Sequence, residues 1–358
     1  MNNLKISIVN SKMLKMFTII FLTFLILVSC KNENKNSISS SHFSKTDNIS
    51  FKNLFEFNKG VVGMMHLIDS TMIIFNPDGN KDFFFYNYSI KKNELSDGYL
   101  NGGRGPGEAI AGIATGVKEN KLWLYDIVLK KILMTDIDKA LSNNAFSFNE
   151  YPVNESFYKI DFINDQNYFA VGSNKSPYEI QQIELVSGYV KNEFEKIKTT
   201  SDDTPIHKYK YTYQSYIHNK PSGDKTVVVY RFMDKIKIFD IKSKISKTIQ
   251  CPDVIEIDPV FKKTGKITEN TKRTFISSAI TDNFIYLAYS GNPVFNEDSG
   301  FASHIYVYDW HGTPIRKIVL DKKIQCLTVS DDDKILYAYD PNTGYVMYSK
   351  INILKDEI

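Results

Sequence analysis

Short hydrophobic runs alternate with polar turn residues along most of the chain after residue 49. Six of the runs are alike: each is rich in Val, Ile, Leu, Tyr or Phe and follows a cluster of Asn, Asp, Gly or Ser. This pattern is typical of β-strands joined by turns, and no long segment in this part shows helical periodicity. The runs occupy residues 72–75, 122–125, 168–171, 227–230, 285–288 and 335–338.

The spacing of these runs indicates a repeated structural unit. Successive runs begin 46 to 59 residues apart, and further strand-like segments precede and follow them. A sheet of about four strands cannot bury both of its faces alone, so each unit needs a neighbour on either side. The chain is therefore predicted to be all-β and to form a six-bladed β-propeller over residues 49–358. A β-sandwich or two separate β-domains is disfavoured because no Pro/Gly-rich linker divides the chain.

The sequence also predicts how the ring closes and where its long loops lie. Residues 49–57 are expected to add a strand to the last blade and so join the two ends of the ring. Long connections at 187–211 and 251–274, and an insertion at 290–303, would lie on the rim of a rigid ring. Such loops either build a binding surface or are neutral insertions, and the sequence leaves both interpretations open.

The N-terminus carries a targeting signal. Residues 16–28 form an uninterrupted apolar run preceded by lysines, which matches the hydrophobic region of a secretory signal peptide. The run is short for a transmembrane helix, which needs about 20 apolar residues. It ends in the sequence LVSC at 27–30, which resembles the bacterial lipobox. The resemblance implies diacylglycerol on the Cys30 sulfur and Cys30 as the mature N-terminus; the alternative is an ordinary signal peptide or an uncleaved anchor.

Acylated Cys30 would attach the protein to a membrane without crossing it, because two or three acyl chains give stable anchoring. Residues 30–48 are rich in Asn, Ser and Lys and lack apolar periodicity, so a flexible tether is expected there. The predicted division is a lipoprotein signal peptide at 1–29, the tether at 30–48 and the propeller at 49–358. The expected location is the bacterial cell envelope, on the periplasmic or the surface face of the outer membrane.

Charge and cysteine content narrow the possible functions. The chain has 44 Lys and Arg against 41 Asp and Glu, so nothing favours a nucleic-acid partner. Cys251 and Cys326 are too few for a disulfide framework, and two buried thiols are favoured over one disulfide. The six histidines show no zinc-binding spacing, and no serine-hydrolase elbow is present. No metal and no cofactor are therefore predicted.

Five residues are candidates for ligand binding. Arg104 and Glu108, in a Gly/Pro-rich turn, are close enough either to pair and lock the turn or to point at a common site. In the second case Arg104 would grip an anionic ligand at the channel mouth. His66 and His218 lie on predicted inner strands and would face the channel, although a lone strand histidine is usually structural. Tyr213 belongs to an aromatic-rich segment that either packs between blades or stacks on a sugar or a peptide.

Two motifs resemble those of a known family. The turn GRGPGE at 103–108 and the hairpin VYDWHGTP at 307–314 are similar to those of the BF3164-like lipoproteins, which are TolB-like six-bladed propellers of Bacteroidetes. The resemblance implies a six-bladed propeller on a lipid anchor, and it transfers no catalytic residue to this chain. Within the hairpin, Trp310 is expected to pack on neighbouring strands and Gly312 to supply the positive φ of the turn.

The predicted function is that of a lipid-anchored binding or scaffold protein of the cell envelope. Its loop face would contact a glycan, a peptide or an envelope protein. The alternative is a propeller enzyme of the lactonase or lyase type that acts on a sugar-derived substrate. Such enzymes usually hold a metal with inward-facing acids, and the predicted inner strands are poor in acids. Binding is therefore favoured over catalysis, and no catalytic residue is predicted.

Overall fold

Six sheets arranged in a ring make up the described part of the chain. The computed structural model describes residues 39–40, 42–142, 147–197 and 211–353. Each sheet has four or five strands and contacts the next one through its inner strand. The prediction of an all-β six-bladed propeller is confirmed. The predicted signal peptide and Cys30 lie outside the described residues.

The first half of the chain forms three blades. Three strands precede the first blade: β1 (Ser39–Ser40), β2 (Thr46–Ile49) and β3 (Lys52–Glu56). Blade 1 contains β4 (Met64–Ile68), β5 (Thr71–Phe75), β6 (Phe83–Ser89), β7 (Glu94–Leu95) and β8 (Tyr99–Asn101). Blade 2 contains β9 (Gly112–Lys118), β10 (Lys121–Asp126), β11 (Lys131–Asp136) and β12 (Asn149–Pro152). Blade 3 contains β13 (Lys159–Asn164), β14 (Asn167–Val171), β15 (Tyr178–Glu184) and β16 (Val190–Lys196).

The second half forms the other three blades. Blade 4 contains β17 (Ser215–Asn219), β18 (Lys225–Tyr230), β19 (Lys235–Asp240) and β20 (Ser246–Gln250). Blade 5 contains β21 (Lys272–Ile280), β22 (Phe284–Pro293), β23 (Ala302–Asp309) and β24 (Pro314–Ile324). Blade 6 contains β25 (Cys326–Val329), β26 (Ile335–Asp340) and β27 (Tyr345–Lys350).

Helical structure is confined to short connections. The described helices are α1 (Ile137–Leu141) and α2 (Pro259–Thr264), with 3-10 turns at Gly79–Lys81 and Glu297–Gly300. No helix among the described residues is long and apolar enough to span a bilayer.

The six hydrophobic runs seen in the sequence are the second strands of the blades. In β5, β10 and β18, for example, every residue after the first is buried. A second strand lies inside its sheet, and neighbouring blades cover both faces of that sheet. Its side chains therefore meet apolar neighbours on both sides, which explains why the runs are uninterrupted rather than alternating.

The ring is closed by a strand from the N-terminal end of the chain. β3 pairs antiparallel with β27 and completes blade 6. The backbone N–H of Phe57 then donates to the Gly344 carbonyl at 2.8 Å, and the Phe55 ring stacks on Tyr88 of blade 1 at 3.7 Å between centroids. The prediction that residues 49–57 add a strand to the last blade is confirmed.

Strand pairing begins earlier than the predicted propeller boundary at residue 49. β1 pairs in parallel with β20, and β2 pairs in parallel with β24, so each extends the outer edge of a blade. The Phe43 ring stacks on Tyr306 at 4.9 Å. The predicted tether at 30–48 therefore contributes two strands to the propeller. Their sequences are polar because an added edge strand is held by backbone hydrogen bonds and leaves part of its surface in solvent.

The hydrophobic cores lie between adjacent blades. Trp123 of blade 2, for instance, packs on Phe162 of blade 3 with ring centroids 5.1 Å apart. Cys251 belongs to the core between blades 4 and 5, whereas Cys326 belongs to the core between blades 6 and 1. Both are free and buried, which confirms the prediction of two buried thiols.

A short polar side chain follows the second strand of most blades and fixes the next turn. Asp126, at the end of β10, accepts hydrogen bonds from the backbone N–H groups of Ala111, Val128 and Leu129 at 2.8–3.0 Å. Asn76, Ser173 and Asp340 have the same role in their blades, whereas Asp234 accepts the backbone N–H of Asp253 in the loop after β20. These turns lie at the end of the ring where the inner strands begin, so their backbones form a rigid rim there.

Candidate functional site

Six inner strands line a central channel. They are β4, β9, β13, β17, β21 and β25, and neighbouring inner strands contact each other around the ring. Each is the first strand of its blade, so all six run in the same direction. The end of the channel at which they begin is called the mouth below. Because side chains alternate along a strand, every second residue of these strands points into the channel.

His66 and His218 face this channel from opposite blades. His66 lies on β4 of blade 1, and His218 lies on β17 of blade 4. Although these blades are on opposite sides of the ring, the charge of His66 lowers the pKa of His218. The Nε2 atom of His218 lies 2.7 Å from the Ser278 hydroxyl of β21. Burial lowers the pKa of each imidazole to about 4, so both are neutral at neutral pH. Both residues lie on inner strands, as predicted, and their role in ligand binding stays a prediction.

Lys159 is a buried cation at the start of β13. Its Nζ donates to the Ile113 carbonyl of β9 and lies 5.7 Å from the Tyr158 ring centroid and 5.8 Å from that of Tyr216. Burial, and then the charge of Arg231, lower the pKa of Lys159 to about 7. A pKa lowered this far indicates that the ammonium group has lost its hydration without gaining a nearby negative charge.

Arg231 shares the two tyrosine rings with Lys159. It follows β18, which returns to the mouth, and its Cζ lies 5.9 Å from the Tyr158 centroid and 5.7 Å from the Tyr216 centroid. Its Nη1 donates to the Tyr158 hydroxyl and, at 3.4 Å, to the Gln214 side-chain oxygen. Its Nε is buried and has no hydrogen-bond partner among the described residues.

Arg273, near the start of β21, is the third cation at the mouth. Burial and the charge of Arg231 lower its pKa. Its Nε is also buried without a hydrogen-bond partner in the described part of the chain. Lys159, Arg231 and Arg273 are called the basic cluster below. No ion pair joins any of the three to a carboxylate of the described residues.

Asp161 is the carboxylate on the channel side of β13, two residues beyond Lys159. Its Oδ2 accepts the backbone N–H of Asn219 at 2.6 Å, and its Oδ1 accepts that of Phe162 at 3.0 Å. Burial raises the pKa of Asp161 to about 7. This carboxyl group is thus bound to backbone deeper in the channel and is partly protonated at neutral pH, so it does not neutralise the basic cluster.

A cavity of about 400 Å³ opens beside the cluster. Tyr158 and Gln214, the two partners of Arg231, lie in its wall. Both predicted long connections reach it, through Tyr211 from 187–211 and through Thr264 from 251–274. The remaining lining residues are Ile127, Ser156, Phe157, Gly172, Asn174 and Gly265.

Local sequence explains how α2 positions one wall of this cavity. Asp258 caps the helix by accepting the Phe261 backbone N–H at 2.7 Å, and Pro259 occupies the first turn. Phe261 is fully buried, and Gly265 ends the helix in the left-handed conformation at φ 69°. Thr264 and Gly265 are therefore held at the cavity by a defined helix end.

A metal centre is not apparent in the part of the chain that the structure describes. No three His, Cys, Asp or Glu side chains there form a group that could hold a metal ion. His218 is bound to Ser278, and Asp161 to the backbone of Asn219. The channel groups therefore act as separate polar residues rather than as one ligand set.

Comparison with known proteins agrees with this architecture. Residues 45–332 match the family described as TolB-like 6-blade propeller-like. The chain belongs to the TolB-like six-bladed propeller family. No curated protein matches this TolB-like propeller.

Two solved structures of similar fold come from Bacteroides. One is a Bacteroides fragilis NCTC 9343 protein named as an exported protein, with 12% identity and a TM-score of 0.56 over 87% of this chain and 98% of that one. The other, from Bacteroides vulgatus ATCC 8482, belongs to the duf4221 family, with 10% identity and a TM-score of 0.56 over 86% of this chain and 99% of that one. At these identities the TolB-like propeller shares the fold with them.

Arg104 and Glu108 were expected either to pair or to point at a common site, and the first alternative is wrong because they do not pair with each other. Glu108 Oε2 accepts the Gly105 backbone N–H at 2.7 Å, while Arg104 is exposed. A Cβ atom at Gly103 would lie 2.0 Å from the same oxygen, so the first glycine is needed for this close approach. The carboxylate therefore locks the turn through the backbone. Because Gly107 donates to Glu150 of β12, the turn lies against the outer strand of blade 2.

Tyr213 packs between blades, as the first of its two predicted alternatives has it, and it also lines a separate cavity of about 550 Å³, so its ligand-binding role stays a prediction. Its ring meets Tyr230 edge-on with centroids 6.4 Å apart, and it packs on the core between blades 3 and 4. The expected packing of Trp310 is confirmed, because its buried ring donates from Nε1 to the Thr281 carbonyl at 3.0 Å. The positive φ of Gly312 is also confirmed, at 77°.

The basic cluster was not predicted from the sequence. Its three members stand in different blades and far apart along the chain, so no local motif joins them. A usable signal was their position: Lys159 and Arg273 stand near the start of inner strands, and Arg231 follows a second strand. In a propeller these positions meet at one end of the channel.

Proposed function

We propose that this TolB-like propeller is a lipid-anchored binding protein of the bacterial cell envelope, of the BF3164-like kind, which holds its ligand at the channel mouth. The lipobox-like sequence ending at Cys30 supports the anchor. The similarity to a Bacteroides protein named as exported supports an envelope or secreted location. The basic cluster and the adjoining cavity supply the ligand site.

One observation carries the proposal: Arg231 and Arg273 each bury an Nε without a partner among the described residues, next to an open cavity. Buried polar groups are almost always hydrogen-bonded, and those that are not need an explanation. The cost is greater when the unpartnered N–H belongs to a charged group. Two such guanidinium groups at one mouth are accounted for by a ligand that supplies the missing acceptors.

Binding is favoured over the lactonase or lyase alternative. Those reactions need a positioned acid and base, or a metal, at the reacting atom. In this channel His218 is hydrogen-bonded to Ser278, and Asp161 accepts two backbone N–H groups. The three cations of the basic cluster are instead suited to holding a ligand in a fixed place.

A ligand-retention experiment tests this function. The full-length chain, made in a lipoprotein-processing bacterium and immobilised from detergent, is exposed to small-molecule extracts of that bacterium, and retained compounds are identified by mass spectrometry. The wild type and a Lys118→Gln control are expected to retain the same compounds, and an Arg231→Gln/Arg273→Gln double variant to lose them. Lys118 is a fair control because it lies at the far end of β9 and donates to the Pro221 carbonyl at 3.0 Å. Equal retention by all three proteins, or none, would refute the proposal.

The anchor has its own measurement. Intact mass of the membrane-extracted chain is expected to correspond to a protein that begins at Cys30 and carries acyl chains. A Cys30→Ser variant is expected to leave the membrane fraction. An unmodified Cys30 thiol in the wild type would contradict the anchoring part of the proposal.

A further inference from the structure

We propose that the basic cluster binds the carboxylate or phosphate group of a monosaccharide-sized ligand whose uncharged body occupies the adjoining cavity of about 400 Å³. This inference rests on the proposed binding function and names the chemical class of the ligand. Among the described residues, Lys159, Arg231 and Arg273 would bind the charged group of the ligand. The uncharged body would lie in the cavity next to Tyr158 and Gln214.

The arrangement of the first two cations supports a shared anion. Lys159 Nζ and Arg231 Cζ each lie less than 6 Å from the centroids of Tyr158 and of Tyr216. Both cations therefore border the same small volume at the mouth. One anionic group placed there accepts from an ammonium and a guanidinium together, which is the geometry that carboxylates and phosphates favour.

The third cation shows that the charge is not balanced within the described residues. Arg273 is near enough to Arg231 for their like charges to disfavour each other, and it offers a buried Nε. The channel carboxyl group, Asp161, is occupied by two backbone N–H groups. An external anion would thus supply the counter-charge that all three cations lack among the described residues.

Neutral and acidic groups set the depth of the site. Beyond the basic cluster the channel presents His66 and His218, both uncharged at neutral pH, and then Asp161. None of these groups offers a positive charge to a second anionic group. The anion therefore stops at the mouth, and the rest of the ligand extends sideways into the cavity.

The cavity wall is suited to a sugar ring. Tyr158 and Tyr211 provide aromatic surface on which the apolar face of a pyranose stacks. Asn174 and Gln214 provide amide groups for hydroxyls. The volume falls in the range of about 300–1,000 Å³ that small-molecule sites occupy. A uronate or a sugar phosphate satisfies both parts, whereas glucose lacks the charged group.

Calorimetric titration of the full-length chain tests the ligand class. The probes are glucuronate, glucose 6-phosphate, glucose and inorganic phosphate. At least one of the two acidic sugars is expected to bind at least tenfold more tightly than both glucose and inorganic phosphate, and the better of the two identifies the source of the charge. Equal binding of inorganic phosphate would mean an ion site without a sugar site, and binding of glucose alone would exclude the anion; either result overturns the inference.

Three variants locate the site. Arg273→Gln is expected to weaken binding of the acidic sugar at least tenfold, and Lys118→Gln, at the other end of the channel, to leave it unchanged. Gln214→Glu places a carboxylate of the same size beside Arg231, whose Nη1 lies 3.4 Å from the Gln214 oxygen. This variant is expected to fold, because it adds an ion pair, and to lose binding at least tenfold. Undiminished binding in Gln214→Glu would overturn the inference.

The failure of this inference and of the proposed function are distinguishable. If no acidic sugar binds but the retention experiment still recovers compounds that depend on Arg231 and Arg273, the ligand class is wrong and the binding function stands. If retention is also independent of these arginines, the proposed function itself fails.

Discussion

Replacing Lys159 by methionine is expected to stabilise the ligand-free propeller by about 3 kcal/mol at pH 7. Burial moves the pKa of this lysine from 10.5 to about 7. Each unit of pKa shift corresponds to about 1.4 kcal/mol, so keeping the ammonium buried at pH 7 costs the folded state about 4 kcal/mol. The variant also loses the hydrogen bond to the Ile113 carbonyl, which offsets about 1 kcal/mol of this stabilisation. Methionine keeps the packing of the aliphatic stem.

The pH dependence of this gain has a definite sign. The folded-state pKa of Lys159 lies below the unfolded value, so between pH 7 and 10.5 the unfolded chain binds the extra proton. The stability of the wild type therefore rises with pH over this window, by up to about 1.4 kcal/mol per unit. The methionine variant lacks that increase. Its advantage should be largest at pH 7 and below and should nearly vanish by pH 10.5.

Chemical denaturation at several pH values measures this effect. Other titrating groups cancel in the difference between the two proteins, apart from those that Lys159 itself influences, such as His218. Lys118→Met is the matched control and is expected to change the unfolding free energy by less than about 0.5 kcal/mol. A Lys159→Met variant less stable than the wild type at pH 7 would mean that Lys159 has a counter-charge in the folded protein.

Truncation of Phe57 is expected to destabilise the propeller by about 3–5 kcal/mol. This side chain is 2% exposed, packs between blades 6 and 1, and meets the Tyr86 ring edge-on at 5.4 Å. Phe57→Ala removes that packing and leaves a cavity. It also loosens the strand that closes the ring, because Phe57 directly follows β3 and its side chain holds that end of the strand against the core.

Thermal and denaturant unfolding of Phe57→Ala should therefore show a large loss of stability. Asn53→Ala is the matched control, because Asn53 is exposed on β3, the strand that Phe57 directly follows, and its backbone pairing is kept. The control is expected to change the unfolding free energy by less than about 0.5 kcal/mol. A loss below about 1 kcal/mol for Phe57→Ala would show that closure through β3 contributes little to stability.

The blades were predictable because their signal is local and repeated. Each second strand is an apolar run after a turn, and a propeller needs that pattern once per blade. β1 and β2 gave no such signal, since a polar segment can join a sheet edge through backbone hydrogen bonds alone. The boundary at residue 49 was therefore placed at the first apolar segment rather than at the first strand.

The candidate site was harder to predict, because its residues come together through ring geometry. His66 and His218 were found since inner-strand positions can be read from the repeat. Arg104 attracted attention because it stands among glycines, but those glycines serve the turn that Glu108 locks. Arg231 and Arg273 look like ordinary surface arginines in the sequence. Only their positions relative to the strands bring them to one mouth.

At the channel mouth, the basic cluster holds positive charge without a counter-charge among the residues that the structure describes. The direct measurement is an NMR titration of the Lys159 side chain in ¹³C-lysine-labelled protein, with the signal assigned by Lys159→Arg. A pKa of about 7 in the free protein is expected, rising when an acidic sugar binds. A pKa near the ordinary value of about 10.4 in the free protein would contradict the account.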